Sequence, residues 1–243
     1  MSELAIHAVL DRAKASLGPI QKPYHYEFYT QEELLSLAHP PQSIELDVEE
    51  TLAQNPIPGI IPIEPVYQVR REKDHGLVLV LDTSLSMKGE KLALLAMTVA
   101  AVAMSLPVDS FAIFGFDSEI HTIKAFDEVG GPEVWIERTL SIPPGGFTHM
   151  ERALITAKDW IHASDYPNAR VILVSDGRYT EGKNPITLAG TFPYLYSVKI
   201  GKDPTGREIM REIADHGMGR FTEVREMRDL PRTLLNSIRT WVK

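Results

Sequence analysis

Five consecutive apolar residues, Leu77 to Leu81, run straight into Asp82, Thr83, Ser84, Leu85 and Ser86. An apolar run of this length without alternation marks a strand buried on both faces, the kind found in parallel sheets covered by helices. The same design returns at Arg170–Ser175, an apolar strand that ends in Asp176 and Gly177. A chain with two such strands among helix-forming stretches falls in the α/β class. In open sheets of that class, ligands bind just beyond the carboxyl ends of the strands. Asp82, Ser84, Ser86 and Asp176 fall on that edge, and oxygen side chains gathered there suit a hard cation such as Mg²⁺.

From Gly76 onward, strand and helix patterns alternate. Strands are expected at Leu77–Asp82, Ser110–Phe116, Glu119–Ala125, Arg170–Ser175, Tyr194–Ile200 and Gly219–Val224. Helices are expected at Glu90–Leu106, Pro132–Ser141, Glu151–Ala163, from Thr205 to His216, and from Asp229–Pro231 onward. Thr205 and Glu208 have capping-box spacing, and Asp229 before Pro231 is placed as an N-cap. The link Asp117–Ser118 is too short for a helical crossover, so its flanking strands should form an antiparallel hairpin. The expected fold is a doubly wound, mostly parallel sheet with one antiparallel edge strand and helices on both faces.

This α/β domain is expected to occupy residues 76–243, behind a helical and proline-rich N-terminal extension of residues 1–75. In the extension, Ile6, Val9, Leu10, Ala13 and Leu17 share one helical face, and Gly18–Pro19 should end that helix. Thr30 and Glu33 have capping-box spacing for a helix through Ala38, stopped by His39–Pro41. Acidic residues Glu45, Asp47, Glu49 and Glu50 follow, then Pro56, Pro58, Pro62 and Pro65 space out an extended segment. Val66–Arg70 reads as an edge strand.

A net charge of −8 argues against general nucleic-acid binding. The absence of cysteine removes disulfides, thiolate metal sites and cysteine nucleophiles together and fits the cytosol. No basic-then-apolar leader opens the chain, and the apolar stretch Leu92–Leu106 is too short to span a bilayer. A cytoplasmic protein without a membrane span is the expectation. Nucleophile-elbow, P-loop and dinucleotide glycine signatures are absent.

Asp82-Thr-Ser84-Leu-Ser86, then Gly145-Gly-Phe-Thr148, then Val174-Ser-Asp176-Gly177 resemble the metal-ion-dependent adhesion site (MIDAS) of von Willebrand factor A (VWA) domains. The resemblance runs from about Gly76 to the C-terminus and leaves out the first ~75 residues. It implies that Asp82, Ser84, Ser86, Thr148 and Asp176 form a site for Mg²⁺ or Mn²⁺. Ser84, Ser86 and Thr148 would reach the ion through hydroxyls, while Asp82 and Asp176 hold waters and orient them. Neutral ligands leave the cation undercompensated, so the last place would go to an Asp or Glu of a partner protein. The resemblance also implies a non-enzymatic adaptor working beside a MoxR-type AAA+ ATPase in enzyme maturation.

Taken singly, the residues have plainer readings. Thr148 and Glu151 have capping-box spacing, Ser84 and Ser86 suit a turn, and Asp176–Gly177 suits a strand-ending turn. Leu85 stands where many family members have glycine, and Phe147 separates the glycine pair from the threonine. Leu85, Met87 and Phe147 therefore read as an apolar collar round the metal, the alternative being that Leu85 and Phe147 tuck inward to pack. His149 reads as a solvated loop histidine or a hydrogen-bond partner of a metal water, and His75 and His121 as surface residues. Arg178, Tyr179 and Lys183 occupy the same rim. The enzyme rival is a haloacid-dehalogenase-type phosphotransferase, which wants an acid where Ser84 stands; the other rival is a metal-independent scaffold. Leu230, Leu234, Leu235, Ile238 and Val242 give the last helix an apolar face that a switching domain would slide.

Overall fold

The computed structural model describes residues 3–17, 24–36, 44–54, 64–72, 76–87, 89–143 and 145–240. Gly18–Pro19, Ala38, His39–Pro41, Pro56, Pro58, Pro62, His75 and Val242 lie outside them. Contacts divide the chain into two units, residues 22–73 and residues 1–21 with 74–243. The first 75 residues are thus shared between the units.

The chain opens with α1 (Glu3–Leu17). The smaller unit holds β1 (Tyr24–Thr30), α2 (Gln31–Ser36), β2 (Ile44–Leu46), α3 (Val48–Gln54) and β3 (Val66–Glu72). The Thr30–Glu33 capping box forms: the Thr30 N–H donates to Glu33 Oε2 at 2.8 Å, and the Glu33 N–H donates to Thr30 Oγ1 at 3.3 Å. The strand expected at an edge is central, because β3 pairs antiparallel with β1 on one side and β2 on the other. Pro65 just precedes it, where a missing N–H breaks no ladder. The acidic stretch is structured too: Asp47 Oδ1 accepts the Glu50 N–H at 2.8 Å, capping α3.

The larger unit continues with β4 (Leu77–Asp82), α4 (Glu90–Ser105), β5 (Phe111–Phe116), β6 (Ile120–Lys124), α5 (Pro132–Ser141), α6 (Met150–His162) and β7 (Arg170–Ser175). It ends with α7 (Ile186–Ala189), β8 (Leu195–Ile200), α8 (Arg207–His216), β9 (Met218–Val224) and α9 (Leu230–Thr240). The six strands run in the order β6-β5-β4-β7-β8-β9. All neighbours are parallel except the β5–β6 hairpin at one edge.

Alternation along β4 explains the layers. Leu77, Leu79 and Leu81 face a core built with α4, α5 and α9, while Val78 and Val80 face α6 and α8. Helix α4 is apolar on a second side, where Ala96, Met97 and Ala100 meet Val9, Leu10 and Ala13 of α1. A helix wedged between a sheet and another helix must be apolar over most of its surface. Leu230, Leu234, Leu235 and Ile238 of α9 are buried against the first core.

The capping box expected at Thr205 and Glu208 does not form. The Thr205 N–H goes to Asp203 Oδ1 at 2.9 Å, and α8 starts behind Gly206 in the left-handed region, φ 79°. A Cβ on Gly206 would strike the backbone of Gly177, itself at φ 85°. The two glycines let the β7 exit and the α8 entry touch backbone to backbone.

Candidate metal centre

Parallel pairing places the ends of β4 and β7 side by side, with Leu81 opposite Val174. The chain leaving β4 turns through a one-turn 3₁₀ helix, Leu85–Met87, and the chain leaving β7 turns at Gly177. Ser84 Oγ lies 3.4 Å from Ser86 Oγ, which lies 3.4 Å from Asp176 Oδ2. Those separations exceed the usual 2.7–2.8 Å of a hydroxyl hydrogen bond. Adjacent ligands of an octahedral Mg²⁺ stand roughly 3 Å apart, so such spacing suits oxygens that share an ion.

Thr148 arrives from the loop before α6. It is buried and lines the same cavity of about 450 Å³ as Ser84, Ser86 and Asp176. It does not cap α6; His149 does, with Nδ1 accepting the Arg152 N–H at 3.1 Å. Glu151, the other half of the expected capping box, accepts the Lys183 N–H at 2.7 Å. His149 is therefore a helix cap, a role outside both readings of its sequence position.

Asp82 is buried beneath the hydroxyls. Its Oδ1 accepts the Ser84 N–H at 3.0 Å and its Oδ2 accepts the Ser175 hydroxyl at 2.6 Å. Burial pushes its carboxyl up to about 6; the hydrogen bonds from Ser175 and Ser84 hold it down, and Asp176 adds a smaller upward push. No described lysine, arginine or histidine forms an ion pair with it. Arg178 acts on it only at a distance; a buried carboxylate without a contacting countercharge is costly, and a divalent cation held by Ser84, Ser86, Thr148 and Asp176 would supply one. The donor set thus fits a hard metal ion. Among the described residues, no cluster of three or more His, Cys, Asp or Glu offers another such site.

Sequence reasoning missed the supports. Ser175, the one hydroxyl in β7, anchors Asp82. Thr180 holds the Thr148 loop twice: its hydroxyl accepts the Thr148 N–H at 3.0 Å, and its N–H donates to the Thr148 carbonyl at 3.0 Å. Asp117 accepts the His149 N–H on its carbonyl at 3.2 Å and pairs with His121 at 3.0 Å, so His121 is no bystander on the surface. The polar doublet Asp117–Ser118 in the hairpin was the available signal.

At the rim, Arg178 binds Asp176 Oδ2 through Nη2 at 3.0 Å and reaches Asp203 at 3.5 Å. Lys183 stays exposed, and Tyr179 packs partly into the core. The collar divides. Met87 is buried in the core, whereas Leu85 and Phe147 point to solvent.

A doubly wound sheet with an antiparallel edge hairpin is the VWA fold, and solved VWA structures match it. PTMP1, the proximal thread matrix protein 1 of the mussel byssus, aligns at TM-score 0.56 and 17% identity over 68% of this chain and 47% of that one. One structure of that protein has a zinc-occupied MIDAS motif. A von Willebrand factor type A protein from Catenulispora acidiphila aligns at TM-score 0.56 and 18% identity over 90% of this chain and 50% of its own. BatB from Bacteroides thetaiotaomicron aligns at TM-score 0.51 and 16% identity, covering 68% of this chain and 98% of that one. The chain spans about half the length of the byssus protein. No curated protein matches it. Residues 30–189 match the family described as VWA domain containing CoxE-like protein, and the chain belongs to that family.

Proposed function

We propose that the chain is a protein-interaction module that grips a partner through a divalent cation, Mg²⁺ or Mn²⁺, held by Asp82, Ser84, Ser86, Thr148 and Asp176. The observation that carries this reading is that the Ser84, Ser86 and Asp176 oxygens lie 3.4 Å apart in turn and that Thr148, from a third segment, lines the same open cavity. When bound, the ion supplies an electrophilic centre for an outside carboxylate. Asp82 and Ser175 set the orientation of the Ser84 turn, while Thr180 and Asp117 fix the Thr148 loop. The partner supplies an Asp or Glu. We infer for the chain a role as a cytoplasmic adaptor in enzyme maturation beside a MoxR-type AAA+ ATPase, a reading with which the match to the CoxE-like family is consistent. Residues 76–243 carry the interaction, and the reading is that of a binder: Ser84 stands where a haloacid-dehalogenase-type enzyme needs an acid.

The test is a calorimetric Mn²⁺ titration. Wild type should bind one ion, and Thr148→Ala or Ser86→Ala should weaken binding at least about tenfold without loss of the fold. Unchanged affinity in both variants would refute the site. Capture of the AAA+ ATPase in Mg²⁺ and its release by chelator would test the adaptor role.

A further inference from the structure

Two large apolar residues stand in solvent on the lip of the metal cavity. Leu85 is 55% exposed and Phe147 is 63% exposed, and both line the cavity with Ser84, Ser86, Thr148 and Asp176. Each is next in sequence to a proposed ligand: Leu85 sits between Ser84 and Ser86, and Phe147 precedes Thr148.

Their exposure is built in. The Phe147 N–H donates to Ser118 Oγ at 2.9 Å, and its neighbours are pinned by Thr180 and Asp117. Gly146 before it takes φ 66°, and a Cβ there would lie only 2.9 Å from Asp117 Cγ and the Ser118 nitrogen. The Leu85 turn is closed by the Met87 N–H on the Ser84 carbonyl at 2.8 Å, by Lys91 Nζ on the Ser86 carbonyl at 2.8 Å, and by burial of Met87. Apolar groups fixed on a rigid frame lose little conformational freedom when a partner covers them, which is how interface anchors work.

We propose that Leu85 and Phe147 form an apolar cleft for the residue adjoining the partner's acid, so the module selects an Asp or Glu flanked by a large aliphatic or aromatic side chain. The inference rests on the metal-site reading above and adds a sequence preference to it. Continuity decides the occupant: Leu85 and Phe147 line the same cavity as Ser84, Ser86 and Asp176, so a peptide whose carboxylate joins an ion held there brings its neighbouring side chain to this lip. Arg178 is already engaged by Asp176, so the lip rewards an apolar neighbour over a second acid.

Phage-displayed heptapeptides with a central Asp or Asn would be panned against the 243-residue chain in Mg²⁺ and in chelator. The expected selection is Mg²⁺-dependent, Asp-specific and rich in Leu, Ile, Met or Phe beside the Asp. A synthetic winner should bind about tenfold more weakly when that neighbour becomes Ser. The loss should vanish in Leu85→Ser/Phe147→Ser, while Asp→Asn still abolishes binding to that double variant; circular dichroism checks its fold. Asp-specific binding indifferent to the neighbour would overturn the cleft and leave the metal site standing. Absence of Mg²⁺-dependent Asp selection would overturn both. A concentration-dependent dimer abolished by Phe147→Ser, without peptide preference, would make the lip a self-association surface and overturn the cleft.

Discussion

Asp82→Asn isolates the electrostatic cost of building this site. Asp82 is raised from the ordinary 3.8 to about 6 by burial. The folded protein therefore holds that proton more tightly than the unfolded chain does. The side chain's contribution to stability is at its best below about pH 4 and is lost as pH climbs through about 6. A rise from 3.8 to about 6 sets the cost at about 3 kcal/mol at neutral pH. Asn removes the charge and keeps an acceptor for the Ser84 N–H. The Ser175 hydroxyl, which already accepts the Gly177 N–H at 3.0 Å, must turn to accept from the new amide. That rearrangement costs about 1 kcal/mol, leaving the variant about 2 kcal/mol more stable at pH 7. Urea unfolding in chelator, at steps from pH 4 to pH 8, measures both proteins. The variant should start slightly less stable, cross wild type, and gain nothing further above pH 7. Mg²⁺ should then raise the stability of wild type and not of the variant. A stability difference that stays flat across this range, or moves the other way, would refute the claim that an uncompensated buried charge sits under the hydroxyls.

Two further outcomes follow from the geometry. Arg178→Ala frees Asp176 from a half-exposed guanidinium, so Mn²⁺ should bind about two- to fivefold more tightly in a calorimetric titration at low salt. Leu10→Ala truncates a side chain that α1 buries against α4, and should cost about 2–4 kcal/mol in urea unfolding of the larger unit.

The sheet was legible because β4, β5 and β7 are buried on both faces and therefore written as plain apolar runs. β1, β2 and α3 escaped notice for the opposite reason. Ile44, Glu45 and Leu46 of β2 are all exposed, and β1 mixes Tyr, His and Glu, so neither carries the signature of a covered surface. Val66–Arg70 looked like an edge strand because its two partners were invisible. Among the site residues, the Asp82–Ser84–Ser86 turn was readable since strand and oxygens are contiguous. His149 was not, because Thr148 and Glu151 mimic a capping box; the tertiary bonds from Thr180 and Lys183 draw both away and leave the cap to the imidazole. The Thr205 box failed in the same way, since close passage of Gly177 demands a left-handed residue where the box needs ordinary helix.

Residues 84–86, 148 and 176 line one cavity, brought together by the parallel neighbours β4 and β7 and by the loop before α6. Under the proposed function, binding competence therefore requires synthesis through Asp176. A nascent chain halted before Asp176 holds Ser84, Ser86 and Thr148 yet lacks the carboxylate beside them. Under the proposed function, a partner that docks at this edge engages only chains synthesised past Asp176.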